Sequence, residues 1–563
     1  MRVNRPRGEQ MSLGRCDQQK ELLDDVSWFC EETLAPNSVF SVLHRERHRL
    51  FPDEMFSDLF SQRGRQSVPP SVVATVMVLQ RLGGLSDREA VEHYSFDARW
   101  RYAAGVGGYG SGKWGRFAHT VLVDMRARLA ASAAPRRIFD VTLEAASKAG
   151  LVGPKRVLDS TPLYDAVATM DTITLIRSAI RSLLKVVDEA LEGELRAVLA
   201  SGDEYATTAK PQIDWDDTQA CADLIDSRAR DAFACLVVLE SRALPVAVQE
   251  AMELLATVVG QDLEKTQDGR YRIARQVAKD RVISTVDPEA RHGHKTSARG
   301  FDGYKGHVAV DPDSEIITKT AVTAGNAGDA SVAVDLIEDL VEARRSVDEG
   351  MSAQRDNIGS GSDPEPGMED EQDSEHPTVY GDSAYGTGEF LSHLSKESID
   401  SSCKTMVPRN RHGLFPKGDF KVDLETETVT CPAGVTTPIR RQAKGRGLAS
   451  FADACTDCRL RAECTQASRG RRILVGPHER HLAAARHRQQ DPGWLDGYRA
   501  NRPKVERKIG HLMRRRHGGR RARVRGQTKV GADFNLLAAA QNLARLAVLG
   551  IHWTTLGWQA ETA

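Results

Sequence analysis

The chain has 563 residues, enough for roughly three or four domains. Hydrophobic residues at 40% and charged residues at 28% describe a soluble globular protein, and no apolar run of about 18 residues exists to span a membrane. The formal net charge of −1 hides a segregation: ten acids face one base between residues 348 and 377, whereas twelve Lys and Arg face one acid, Glu506, between 499 and 525.

The opening MRVNRPRGEQ lacks an apolar h-region, so it does not read as a secretory signal, and a cytoplasmic location is expected. There the nine cysteines read as thiols or metal ligands rather than disulfides. Residues 1–145 read as an N-terminal helical, DNA-binding domain. Within it PPSVVATVMVLQRLGG starts at a Pro-Pro-Ser signal, and Ser86-Asp-Arg-Glu89 starts a second helix with a capping box. The pair is either a helix-turn-helix or part of an ordinary bundle.

PKRVLDSTPLYD then reads as a strand whose apolar run ends at Asp159. A helical insert follows over 166–295; Ile176, Ile180, Leu183, Leu184 and Val187 share one helix face, and helices extend to about 280. GYKGHVAVDPDSEIITKTAVTAG reads as a hairpin around Asp311 and Asp313, and DASVAVDLIEDLVEARR as an amphipathic helix. The stretch 346–377 reads as an acidic, disordered linker. TVYGDSAYGT places Asp382 at the tip of another strand, and a helix follows it. The expected core, 150–165 with 296–403 and 490–550, is an α/β mixed sheet flanked by helices.

A cysteine-containing insert occupies 404–489, where Cys431, Cys455, Cys458 and Cys464 are spaced C-x23-C-x2-C-x5-C. C-x2-C is a zinc spacing, and four thiolates can close a tetrahedral structural site; the alternative is four reduced thiols. Arg440, Arg441, Lys444, Arg446, Arg469, Arg471 and Arg472 surround the segment and either touch DNA backbone or are solvated. In GYRANRPKVERKIGHLMRRR, Val505, Ile509, Leu512 and Met513 make a helical stripe with Glu506 at its border. Glu506 is either a salt-bridge partner or a metal ligand whose basic neighbours hold phosphates. His292, His294 and His307 read as hydrogen-bonding histidines, and Lys295, Arg299 and Lys305 as candidate phosphate contacts.

VLDST, YGDSAYG and YRANRPKVERKIGHLMRR together resemble the three blocks of bacterial insertion-sequence DDE transposases with a Tyr-Arg-Glu-Lys signature. Arg502 and Glu506 match that signature; Tyr498 lies one position early, and Met513, followed by Arg514, stands at the Lys position. LQRLGGLSDREAVEHYSFDARWRYAAG, DPEARHGHKTSARGFDGYKGHVAVD and GADFNLLAAAQNLARLAVLG extend the resemblance. It implies an RNase H-like core with Asp159, Asp382 and Glu506 as catalytic residues holding two Mg²⁺ or Mn²⁺ ions. It also implies DNA binding by Tyr498, Arg499, Arg502, Lys504, Arg507 and Arg514. The implied substrates are double-stranded inverted repeats and target DNA, bound by a homodimer away from any membrane. The activity implied is cutting of element ends and joining of 3′-hydroxyls to target DNA. A nuclease without strand transfer and an inactive DNA-binding regulator are the competing readings.

Overall fold

The computed structural model describes residues 11–15, 25–107, 114–165, 169–296, 298–346, 376–408 and 412–561. The linker expected over 346–377 therefore lies almost wholly outside the described residues. Helix α1 (Pro70–Gly83) begins on a proline, which loses no hydrogen bond in the first turn. It ends at Gly84, in the left-handed region at φ +63°, where a Cβ would stand 2.3 Å from the Arg516 carbonyl oxygen. Ser86 and Glu89 form the capping box of α2 (Asp87–Phe96). Every residue of α1 from Pro70 to Arg81 is buried, as expected of the central helix of a bundle.

The central sheet is mixed. It comprises β1 (Lys155–Tyr164), β2 (Arg291–Thr296), β3 (Arg299–Val310), β4 (Ile317–Ala324), β5 (Thr378–Gly381) and β6 (Asp400–Cys403). The spatial order is β6-β5-β1-β3, and β4 and β2 share the far edge of β3 end to end. Strand β1 is antiparallel to β3 but parallel to β5, and β5 is parallel to β6. Sequence predicts that β1 ends at Asp159; instead it runs five residues further, because β3 pairs with it as far as Tyr164↔Gly303. Pro162, which has no N–H to donate, is tolerated because β5 pairs with β1 only over Lys155–Val157.

Between β1 and β2 lie α3 (Thr172–Val186), α4 (Thr218–Leu239) and α5 (Val246–Asp262), around their own core of Ile176, Ile180, Leu183, Leu255 and Val258. The helices stop at Asp262 rather than 280; a small hairpin, Leu263–Lys265 with Tyr271–Ile273, follows. The helix expected from Asp329 opens as two 3₁₀ turns, Asp329–Val332 and Asp335–Ile337, and is α-helical only from 338. The Asp329 carboxylate is tied to the sheet at that point, through Ser160 and Lys305.

After β5 come α6 (Gly388–Lys396) and β6, and then a separate five-stranded antiparallel sheet spanning Lys421 to Val475. This sheet has its own core of Phe420, Val429, Ile439, Phe451 and Ile473. Helix α7 (Pro492–Leu512), capped by the Asp491 side chain, returns across the central sheet, and α8 (Gln527–Val548) closes the fold. Helix α8 packs on α1 and β4 at once, so Val72, Met77, Val308, Ile317, Leu537 and Leu546 belong to one apolar core. The buried Asn542 of α8 donates to the Ile317 carbonyl at 2.8 Å and accepts from the Ile317 N–H at 2.9 Å, which satisfies the backbone of the edge strand β4. No helix among the described residues is long and apolar enough to cross a membrane.

Candidate active site and cysteine module

Asp159 and Asp382 come together through strand register. The parallel pairs of β1 and β5 run from Lys155↔Thr378 to Val157↔Tyr380. Two residues further along each strand are Asp159 and Asp382, where the ladder has opened. Asp382 is held by a tight turn: the Ala384 N–H donates to its Oδ1 at 2.9 Å, and the Tyr385 and Gly386 N–H groups donate to its carbonyl. Gly386 is required there, because a Cβ would lie 1.8 Å from the Lys404 carbonyl oxygen. That close approach accounts for the second glycine of YGDSAYG.

Arg502 on α7 binds Asp159 by two near-parallel contacts, Nη1 to Oδ2 at 3.1 Å and Nη2 to Oδ1 at 3.0 Å. The same guanidinium lies 4.0 Å from Asp382 Oδ2 and 3.9 Å from Glu506 Oε1. One buried cation thus touches all three acids. Burial raises the Asp159 carboxyl above its usual range, and Arg502 opposes this only in part. Burial acts to lower the Arg502 pKa, but the charge and hydrogen bond of Asp159, with Tyr498 and Asp382, together outweigh it, and the net shift is upward. The Asp159 side chain is 15% exposed, Asp382 43% and Glu506 63%, so the last two present unused oxygens to solvent. As they stand, no three His, Cys, Asp or Glu among the described residues are close enough to share a metal ion.

Behind the aspartates lies a polar network that sequence reasoning missed. Asp329 accepts from Ser160 Oγ at 2.6 Å and from Lys305 Nζ at 2.8 Å. Lys305 is therefore paired inside the site and does not present a free charge to phosphate. The only sequence signal for Asp329 was a Gly-Asp pair after a strand, which reads equally as a turn. His307 is fully buried, with Nε2 2.9 Å from Thr323 Oγ1 and Nδ1 3.3 Å from the Tyr385 hydroxyl. Burial pushes its pKa down to about 4, so it is neutral at pH 7.

The residues expected to bind DNA divide into two groups. Tyr498 and Arg502 are buried: Tyr498 stacks on Trp494 at 5.2 Å between centroids, with Lys404 Nζ 4.4 Å over its ring. These two are removed from the open surface because the stripe of α7 that carries them faces the sheet. Arg499, Lys504, Arg507 and Arg514 lie outside the core; Arg499 pairs with Asp496, Lys504 with Asp313 at 3.1 Å and Arg507 with Glu315. Beside Asp382 an open groove of about 1010 Å³ runs between Ser383, Lys404, Met406, Gln489 and Trp494.

Two segments of the chain match family models. Residues 430–547 match the family described as Transposase DDE domain, and residues 29–128 match Transposase domain (DUF772). The two matches support a DDE transposase of a bacterial insertion sequence. The first match contains Glu506 and all four clustered cysteines; neither match reaches Asp159 or Asp382. No curated protein and no solved structure matches the chain.

The four cysteines Cys431, Cys455, Cys458 and Cys464 line one small cavity beside the core of the five-stranded sheet, and none is in a disulfide. Burial raises the Cys464 thiol, Arg471 opposes this, and the other three thiols add to the rise. Arg471 and Arg461 do not face outward as phosphate contacts would. Arg471 donates to the Cys464 and Phe415 carbonyls at 3.1 and 2.9 Å, and Arg461 to the Cys455 carbonyl at 2.7 Å. Arg441 pairs with Glu427, whereas Arg440, Lys444, Arg446, Arg469 and Arg472 are exposed.

Proposed function

We propose that this transposase cuts the ends of its element and joins the freed 3′-hydroxyls to target DNA, using Asp159, Asp382 and Glu506 on an RNase H-like core. One observation carries the reading: three acids far apart in sequence meet at a single guanidinium. The sheet order supports it as well, with one antiparallel strand beside β1 and parallel strands on its other side.

The donor set suits hard divalent cations, since it consists of carboxylate oxygens and includes no sulfur or imidazole. Two Mg²⁺ or Mn²⁺ ions held by Asp159, Asp382 and Glu506 would supply Lewis-acid stabilisation to the attacking and leaving oxygens. Everything else falls to the chain itself. Arg502 fixes the Asp159 carboxylate in one orientation and offsets part of the effect of burial on it. The Ser383–Gly386 turn fixes Asp382. Glu506, exposed and one turn beyond Arg502, is free to swing toward the aspartates. Arg499, Arg514 and the groove beside Asp382 offer charge and space for the DNA backbone, where phosphate contacts position the strand for in-line attack. Joining two ends calls for at least two copies of the chain on DNA, and we propose a homodimer.

The test is cleavage of a duplex carrying an element end in Mg²⁺, with gel-shift binding in parallel. Asp382→Ala should bind as wild type does and cut at least about a thousandfold more slowly, the scale expected when charge stabilisation is lost. Equal cutting by both proteins refutes the role of Asp382. Pre-cut ends then separate transposase from nuclease: a nuclease leaves them unjoined, and an inactive regulator neither cuts nor joins.

A further inference from the structure

We propose that Cys431, Cys455, Cys458 and Cys464 bind one zinc ion and that the ion closes the fold of the cysteine module. This inference does not depend on the catalytic reading. The four sulfurs line a cavity of about 20 Å³, shared with Phe420 and Phe451. That is room for roughly one water-sized sphere. The phenyl rings cannot hydrogen-bond a water, whereas a metal would bind through sulfur alone. Each cysteine is also placed by its own backbone. Cys431 exchanges backbone hydrogen bonds with Val435 and Gly434 in a tight turn. Cys455 ends the 3₁₀ turn Ala452–Cys455, Cys458 follows it three residues on, and Cys464 ends the short helix Arg461–Cys464.

The surroundings match a thiolate centre. The Arg471 N–H donates to Cys455 Sγ at 3.4 Å, a contact that stabilises charge on sulfur. Arg461 and Arg471 bring two positive charges beside the cysteines, and a zinc with four thiolates carries a net charge of about −2. No pair has formed a disulfide, although all four line one cavity. Soft sulfur donors in tetrahedral number select zinc over the hard ions proposed for the acids. Among the described residues no three of these side chains stand at ligand spacing, so binding of the ion requires the cysteine side chains to rearrange.

The experiment is metal analysis of the purified full-length chain, followed by cobalt substitution. Wild type and Cys221→Ser, a change in the helical insert, should each carry about one zinc per chain and give the visible absorption of tetrahedral cobalt thiolate. Cys458→Ser should retain less than about a tenth of that zinc. If that variant fails to fold, the wild type decides: a mercurial thiol reagent should release the zinc as these four thiols react. A wild type that holds iron instead, holds no metal and gives no cobalt-thiolate absorption, or keeps its zinc after all four thiols are blocked overturns the proposal.

Discussion

The acid cluster and the cysteine module solve the same problem, gathering ligands, in opposite ways. The acids come from β1, from the tip of β5 and from α7, spread over more than three hundred residues of the chain, and they sit on the large core shared with the N-terminal helices. The cysteines come from one run of 34 residues, from 431 to 464, with a small core of their own. A cluster assembled from distant segments depends on the whole fold, whereas a local one can fail alone.

The strongest way to break this comparison is Arg502→Met. It leaves Asp159 buried beside Asp382 without a cation, a loss of about 3–5 kcal/mol by analogy with other broken buried pairs. Urea unfolding should show the whole main transition shifted, with cleavage abolished. Cys458→Ser, titrated in the same way, should leave that transition in place. A main transition that moves as far for Cys458→Ser would mean the two regions are one cooperative unit.

Next in size is a pH effect confined to the acid side of the molecule. His307 faces Asp329, Lys305, Tyr385 and Thr323, and its folded pKa of about 4 lies below the ordinary 6.5. Between those values the unfolded chain binds more protons, so stability is complete above pH 6.5 and falls as pH drops toward 4. The loss approaches on the order of 3 kcal/mol. His307→Gln should flatten the slope of urea midpoint against pH over that window; an unchanged slope would assign the acid sensitivity elsewhere.

The smallest expected effect sharpens the contrast between the buried face of α7 and the exposed basic segment that follows it. Arg514→Ala changes an exposed residue, so folding stability should move by less than about 0.5 kcal/mol. DNA binding should weaken a few-fold, with the salt slope reduced by about 1. An unaltered salt slope would remove Arg514 from the DNA interface.

Much of the acid site was legible because local chemistry marks it. Asp382 sits between a short β run and two glycines, and Glu506 is the lone acid in a basic tract. What was not legible is set by partners distant in sequence. The continuation of β1 past Asp159 depends on β3, whose pairing no local pattern reveals. Tyr498 and Arg502 are expected as DNA contacts only through the signature resemblance; in the fold both are buried against the sheet. The two 3₁₀ turns after Asp329 reflect hydrogen bonds to Ser160 and Lys305, again remote in sequence. In the cysteine segment the spacing was legible, but its sheet was not, because strands of three to six residues separated by turns carry little periodicity.

The joint core of α1 and α8 bears on how the protein is made. The helix that begins at Pro70 packs on its N-terminal neighbours, but its face toward α8 is uncovered until the chain has been synthesised as far as Val548, because Leu537 and Leu546 complete that packing. A nascent polypeptide emerging from the ribosome therefore keeps one side of this helix unpartnered almost to the end of translation. A message cut short before α8 would yield a product with an exposed apolar face, fit for proteolysis rather than for binding an element.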